Sequence, residues 1–539
     1  MSSYLGLFLY LLLFTATNTF GEEYIVRAKD LADVPGTILK KIDRNTYLVE
    51  LESLPVGLKS LSTGTLIEKN YKLWALNAPN DPCLQARWDL NFIRAYQAWD
   101  ISTGSRTIYV AVLDTGVDYS NPDLKDNVWK NPDEVCGNNI DDDGNGYVDD
   151  CYGIDVANGD SDPMDDNGHG TAIASVIGAV GNNETLIAGV NWSVIIIPCK
   201  FLDSSGGGTI AGEIECLNYI LNLKRNKGLN IVAVNASYGN VYPDSEIQRE
   251  KIRELANEGI MYVTAAGNEG ANNDLISMNP CNYDLDNMLC VGSVNSTGDR
   301  SGFSNYGFNK VKLSAPGENI LTLENNNSGS SCSDLTSLSG TSFSTPFVTG
   351  AVALFKSTYP LSSYTEVKKH LLTTGRNNLS LSGQTYTCNI LDLYSLMNGA
   401  VSPKVCASTL SLDWGDVQEC TTVEKELIIR NTGNQRVQVA NLYLEGGGFL
   451  LTKDGCSGRL LDTFEECSVF LAFSPGGSGD YTGSMYIHFS DSGLDFSVSL
   501  HAASSSSCGK SGGCTTGNPW VAFIPVLVFL RLLTRLRRR

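Results

Sequence analysis

Hydrophobic positions fall into three regimes along the chain. Between about residues 81 and 400, short β-branched runs alternate with helical stretches. Residues 107–113 (TIYVAVL) form a continuous run of the kind a sheet buried on both faces requires, and residues 194–198 and 231–234 repeat it. Helical segments lie between them at residues 211–223 and 245–257. This alternation predicts an α/β fold, a mostly parallel sheet with helices on both faces. After Ser402-Pro403 the helical pattern vanishes. Residues 426–429, 437–439, 469–473, 484–489 and 496–500 are short alternating runs between Gly and Asn turns, which predicts a β-sandwich over residues 401–505. Ahead of the α/β region, residues 22–80 carry two β-rich runs, 24–26 and 47–51, around a more helical middle, a small α+β unit. The turn chemistry of residues 77–82 (NAPNDP) closes it and starts the next domain at about Asp81.

The two ends differ from all of this. Residues 4–14 are almost wholly apolar and run into small and polar residues up to Gly21, the pattern of an export signal over residues 1–21. That run is too short to span a bilayer, which takes about 20 apolar residues. At the other end, residues 506–539 comprise a Ser/Gly/Cys spacer, a mostly apolar stretch from Trp520 to Leu533, and then Arg535 and Arg537, Arg538 and Arg539.

Charge removes one class of partner. With 39 Lys+Arg against 59 Asp+Glu, net −20, the chain lacks the cationic face that a nucleic-acid backbone requires. A hydrophobic fraction of 42% with 18% charged residues excludes global disorder. Fifteen cysteines fit an oxidising compartment, so the chain reads as exported, extracellular or attached to a cell surface. Cys136 and Cys151, Cys199 and Cys216, Cys281 and Cys290, and Cys456 and Cys467 are close in sequence, but connectivity stays open. No CxxC pair occurs, which disfavours thiolate metal sites, and the odd total leaves at least one sulfur for another use.

Three motifs carry candidate chemistry. Asp114 ends the apolar run 107–113 in the sequence LDTG, where sheets of this class bind ligands. His169 stands in NGHGT just before a helical run, and Ser342 opens another helix in SGTSFSTP. Singly, each has a plain structural role: a turn-forming Asp, a helix-start His, a capping Ser. Together they are the parts that acyl transfer demands. A serine hydroxyl needs a positioned base, an imidazole has the basicity to take and return its proton, and a buried carboxylate fixes the imidazole tautomer.

In this order and with these neighbours, the motifs resemble the subtilisin-like serine endopeptidases over about residues 81–400. The resemblance implies a subtilisin-like catalytic domain in which Asp114 is the orienting acid, His169 the general base and acid, and Ser342 the nucleophile. The run 263–268 (VTAAGN) is similar to the family's oxyanion-hole segment, with Asn268 as amide donor. Residues 235–239 (NASYG) resemble the strand that pairs with substrate; Ser237, Tyr238 and Gly239 would form one wall of the specificity pocket and Ala265, Ala266 and Gly267 the other. Protein or peptide substrates are implied.

Residues 139–150 concentrate hard oxygen ligands around two glycines. Asp141, Asp143 and Asn145 keep the 1, 3, 5 spacing of a calcium loop, Gly146 takes its sharp turn, Tyr147 offers a carbonyl and Asp149 or Asp150 a further oxygen. The bidentate Glu of a full EF-hand is missing at its usual spacing. Structural Ca2+ is the expectation, with a solvated acidic turn as the alternative.

The resemblance also assigns the remaining segments. Residues 22–80 stand where the family carries a propeptide that inhibits its own enzyme and assists folding, so the chain would be made as a preproprotein. Residues 401–505 resemble Ig-like modules of bacterial surface proteins. Residues 506–539, with Cys508, Cys514 and the terminal arginines, are similar to bacterial C-terminal sorting tails, which implies membrane contact there and Cys514 as a processing site. The alternative to an enzyme is a calcium-stabilised surface binding protein that keeps the fold without turnover.

Overall fold

A computed structural model describes residues 22–28, 34–51, 66–69, 78–325 and 331–505. The chain divides into two units, Met1–Ala75 and Leu76–Arg539.

In the first unit, β1 (Glu22–Arg27), β2 (Thr37–Lys41), β3 (Thr46–Leu51) and β4 (Leu66–Lys69) form one antiparallel sheet in the order β2-β3-β1-β4. Tyr24, Val26, Tyr47 and Val49 alternate along β1 and β3 and meet in a small buried cluster, the period-2 burial of a one-sided sheet. The helical middle expected between the two runs is corrected where it is described: β2 stands there, paired through β3 from Thr37↔Glu50 to Lys41↔Tyr47, and all five of its residues are exposed. Edge pairing satisfies its backbone without a buried face, so no apolar periodicity marks it in the sequence. No helix occurs among the described residues of this unit.

The second unit begins with α1 (Trp88–Phe92) and α2 (Ala95–Trp99), followed by β5 (Gly104–Asp114), β6 (Ile154–Asp155), α3 (His169–Gly178), β7 (Ser193–Lys200), α4 (Ile210–Asn226), β8 (Ile231–Ala236), α5 (Glu246–Asn257), β9 (Met261–Ala265), β10 (Met288–Val294) and β11 (Leu313–Pro316). A short hairpin, β12 (Ile320–Thr322) and β13 (Thr336–Leu338), precedes α6 (Thr341–Thr358), α7 (Tyr364–Thr374), β14 (Arg376–Asn377), β15 (Asn389–Ile390) and α8 (Leu393–Met397). The nine-stranded sheet runs β14-β15-β11-β10-β9-β8-β5-β7-β6, parallel throughout except for β14. Successive residues of β5 serve opposite faces. Val110 and Val112 pack with α3 and α6, whereas Ala111 and Leu113 pack with α4 and α5. That two-sided burial is why β5 reads as a continuous apolar run.

The predicted sandwich runs follow. β16 (Val405–Ala407), β17 (Ser411–Asp416), β18 (Val423–Asn431), β19 (Val437–Glu445), β20 (Phe449–Asp454), β21 (Leu460–Leu461), β22 (Glu466–Phe473), β23 (Gly479–Phe489) and β24 (Phe496–Ser504) make two sheets, β16-β18-β22-β20 and β17-β24-β23-β19-β21. Leu427 and Ile429 from one face Ile487, Val498 and Leu500 from the other in a shared core. The sandwich is bonded to the α/β region. Cys388–Cys406 bridges the two, and Arg430, 1% exposed, donates to the carbonyls of Phe308 at 3.2 Å and Tyr386 at 2.7 Å.

All four sequence-adjacent cysteine pairs are disulfides, and Cys83–Cys332 and Cys388–Cys406 add two more. Residues 1–21 and 506–539, where the export signal and the C-terminal tail are expected, lie outside the described residues. Among the described residues no helix is long and apolar enough to cross a membrane.

Candidate active site

From Thr341 to Phe355 every residue of α6 is buried except Ser342. The helix is held in the sheet's core on all sides and presents one hydroxyl at its first turn. That hydroxyl donates to the Ser237 carbonyl at 3.0 Å, and the Ser237 hydroxyl donates back to the Ser342 carbonyl at 2.8 Å. Asn235 fixes the Ser237 hydroxyl from β8 (2.9 Å) and in turn accepts from Thr349 on α6 (2.8 Å). The end of β8 and the start of α6 are thereby locked together.

Asn268 follows β9 in the neighbouring loop. Its amide oxygen accepts from the Thr341 N–H (2.8 Å) and hydroxyl (3.0 Å), and the Gly267 N–H donates to the Thr341 hydroxyl at 3.1 Å. With the oxygen taken, the amide nitrogen is the end of Asn268 that can donate elsewhere; a Cβ on Gly340 would stand 3.5 Å from it. Ala265 and Ala266 are buried, and Gly239 lies so close to the 279–280 chain that a Cβ there would stand 3.0 Å from the Asn279 carbonyl.

Asp114 ends β5, fully buried, and accepts from the His169 ring at 2.7 Å and from the Thr115 N–H at 2.8 Å, both on Oδ1. His169 is the first residue of α3, and its side chain keeps 27% exposure. A Cβ on Gly170 would fall 2.0 Å from the Gly116 carbonyl and 3.1 Å from the Asp114 Cβ, so glycine after His169 is what lets the strand end and the helix start approach. Burial pulls the imidazole pKa down, but the Asp114 charge and hydrogen bond, helped by the Asp165 charge, outweigh it and leave the pKa raised. The Phe343 ring, next to Ser342, stands edge-on to the His169 ring at 5.6 Å.

The structure therefore brings Asp114, His169, Ser342, Asn268, Ser237 and Gly267 to the carboxyl ends of β5, β8 and β9. Sequence reasoning missed several neighbours. Asp165 is buried between the Asp114 turn and α3. Glu213, in the first turn of α4, is buried beneath the 237–239 segment, accepting from Tyr262 (2.6 Å) and Gln248 (2.5 Å), while the Tyr238 and Tyr262 hydroxyls meet at 3.1 Å. Asp81 and Asp123 are buried too; burial, with the Asp81 charge adding, pushes Asp123 up to about 7 against the backbone and Asn183 hydrogen bonds it accepts.

The acidic loop is arranged differently from an EF-hand. Asp141 and Asp143 gather with Glu134, one oxygen of each within 4.8 Å of the others. Glu134 is 7% exposed; its Oε1 accepts from the Asp142 and Asp143 N–H groups, and its buried Oε2 has no hydrogen-bond partner. The Asn145 oxygen accepts instead from the Tyr147 N–H (2.8 Å), and Asp149 caps the turn at residues 137–139 through three backbone N–H groups. Lys227 also reaches Asp143 and Asp133, both at 2.6 Å, and so supplies part of the compensating charge.

A family model described as the subtilase family, Peptidase S8, matches residues 105–388, more than half of the chain. The chain belongs to the subtilase family. Thermitase of Thermoactinomyces vulgaris is 33% identical over 280 residues, 52% of this chain and 85% of that protein. A thermophilic serine proteinase of Bacillus sp. (strain AK1) is 30% identical over 338 residues, 61% of this chain and 74% of its own. Subtilisin-like protease 1 of Plasmodium berghei (strain Anka) is 30% identical over 351 residues, 60% of this chain and 55% of that one. This subtilase spans about half the length of the Plasmodium relatives it matches.

Proposed function

We propose that this subtilase is an exported serine endopeptidase that cleaves peptide bonds through an acyl-enzyme on Ser342. The observation that carries the reading is a helix buried from Thr341 to Phe355 except at Ser342, in the same site as an imidazole already bonded to a buried carboxylate. The relatives named as proteases and proteinases support it.

In the reaction, the Ser342 proton swings from the Ser237 carbonyl to the free nitrogen of His169 as Oγ attacks the substrate carbonyl carbon. Catalytic hydrogen bonds of this kind tighten only once substrate is bound. Asp114 holds the other ring nitrogen and stabilises the imidazolium. The carbonyl oxygen, now negative, is met by the Asn268 amide N–H and the Ser342 backbone N–H. Collapse breaks the C–N bond, and His169 returns its proton to the leaving amine. Water then repeats the sequence on the ester and releases Ser342. Substrate backbone adds beside Ser237, Tyr238 and Gly239, with Ala265, Ala266 and Gly267 opposite.

Residues 22–80 act as the inhibitory propeptide of a preproprotein, residues 81–400 are the catalytic domain, residues 401–505 an Ig-like module and residues 506–539 a processed, membrane-contacting tail. Calcium is structural here and takes no part in the chemistry. The orphaned Glu134 Oε2 and the converging Asp141 and Asp143 oxygens fit a hard cation with oxygen ligands. Glu134 thereby joins Asp141 and Asp143 in the proposed donor set, beside the Asn145, Tyr147 and Asp149 oxygens of the loop.

The test is hydrolysis of a denatured protein by the exported chain, with mass spectrometry of both mature ends. The wild type is expected to cleave and Ser342→Ala to be inert. Equal cleavage by both proteins, or none by a correctly processed wild type, overturns the reading.

A further inference from the structure

Asp165 is 1% exposed and accepts five hydrogen bonds, none from a cation. Oδ1 takes the Thr115 hydroxyl (2.9 Å) and the N–H groups of Asn167 (3.0 Å) and Gly168 (2.9 Å). Oδ2 takes the N–H (2.8 Å) and hydroxyl (2.6 Å) of Thr171. The direction of both hydroxyl bonds is fixed. The Thr115 oxygen accepts from the Gly170 N–H (2.9 Å) and the Thr171 oxygen from the Asp118 N–H (2.9 Å), so each hydroxyl hydrogen is left for Asp165. Every contact is a donor to the carboxylate, the pattern of an acceptor-only, charged group.

These bonds join two short segments. Thr115 follows Asp114, while Gly168 and Thr171 flank His169. We infer that Asp165 is a positioning residue for His169: it braces the imidazole against Asp114, and its unneutralised charge holds the imidazolium in place from the attack of Ser342 on the substrate carbonyl carbon until the proton passes to the leaving amine. This rests on the endopeptidase reading above. Counter-charges do not cancel it. From β5 the imidazole faces Asp114; the first turn of α6 offers no acidic side chain, and its one basic residue, Lys356, is in the last turn. Lys200 on β7 is committed to Asp166 (2.5 Å) and to the Thr115 carbonyl (2.8 Å). The Asp165 charge adds to that of Asp114 in raising the imidazole pKa.

Two full-chain variants separate charge from bracing. Asp165→Asn keeps the shape and removes the charge. The acid limb of its kcat/KM profile moves to lower pH, as loss of a nearby negative charge requires. Thr115→Val keeps the charge and cuts the strand-end bond; it lowers kcat severalfold and leaves the acid limb in place. An unmoved limb in Asp165→Asn, or wild-type kcat in Thr115→Val, overturns the proposal, and the second outcome is readable even if Asp165→Asn fails to fold. Titrating His169 by NMR in the Ser342→Ala background, with and without Asp165→Asn, reads the same shift without turnover. A failed inference is thereby told apart from a failed endopeptidase reading, which would show instead as a wild type without hydrolysis.

Discussion

Three hydrogen bonds at the first turn of α6 decide how Ser342 is presented: Gly267 N–H to the Thr341 hydroxyl, Thr341 N–H to the Asn268 oxygen, and the Ser237 hydroxyl to the Ser342 carbonyl. Because Asn268 spends its oxygen on Thr341, its NH2 is oriented before substrate arrives, and orientation in advance is what makes such a donor effective. Asn268→Ala is expected to lower kcat about 100- to 1,000-fold with KM little changed, measured by steady-state hydrolysis of a peptide. On the proposed mechanism His169 sets the pH profile. Its pKa is raised, and general-base catalysis needs the neutral ring, so kcat/KM should fall on the acid side with a midpoint above the ordinary 6.5. A midpoint below that value would mean that Asp114 and Asp165 do not act on the ring as the geometry implies. Asp123 works on stability in the opposite sense to an ordinary paired carboxylate. With its folded pKa pushed up to about 7 from the ordinary 3.8, the native state holds the proton longer. The stability present below about pH 4 is lost as pH rises from there to about 7, so in chelator the melting temperature of wild type should decline across that window more than that of Asp123→Asn.

At the scale of elements, the parallel sheet delivers chemistry to one end while the segments beneath it are held by buried polar bonds. Glu213 is the clearest case: burial raises its pKa, and Tyr262, Gln248 and Tyr238 oppose that rise by donating to it. Glu213→Leu would orphan those donors at about 1–3 kcal/mol each, read as a lower denaturation midpoint, whereas Glu213→Gln keeps an acceptor and loses less. The acidic loop is the second case. Cys136–Cys151 closes it, and Glu134, Asp141 and Asp143 converge inside it. Chelation should lower the melting temperature of wild type, and Glu134→Gln should abolish most of that difference. These features show where sequence reading reaches its limit. Asp114, His169 and Ser342 are legible because each sits in a contiguous motif with its own glycines. Asp165 and Glu213 are not, since Thr115 and Tyr262 reach them only after the sheet has formed. In sequence Glu213 reads as an ordinary acid at a helix start. In the acidic loop Asp141 and Asp143 are legible from their spacing, whereas Glu134 is not, because it joins them from outside the motif only after folding.

Over the whole molecule, the β-sandwich is a bonded part of the subtilase unit. Arg430 stacks on Phe308 and Tyr386 with its guanidinium 4.0 and 3.7 Å from the two ring centroids, and Glu466 pairs with it at 2.6 Å. Arg430→Ala would leave the Phe308 and Tyr386 carbonyls without their donor, a loss of about 1–3 kcal/mol, and should lower the melting of both regions together. Separate melting of the sandwich, with the α/β region unaffected, would contradict that coupling. Strands β5, β7 and β8 and the sandwich runs including β23 were legible from periodicity, because two-sided and one-sided burial leave different patterns in β5 and in β23. The docking of sandwich on sheet was not, since Arg430 and Cys406 lie in runs that look like any other strand. On the proposed mechanism, everything at the larger scale serves one placement, a serine on a buried helix within reach of the His169 imidazole. Its most direct measurement is covalent labelling with a fluorophosphonate, the adduct located by mass spectrometry. The subtilase should be modified at Ser342, rapidly in the wild type, far more slowly in His169→Ala, and not at all in Ser342→Ala. Labelling elsewhere, or at equal rate with and without His169, would contradict the account.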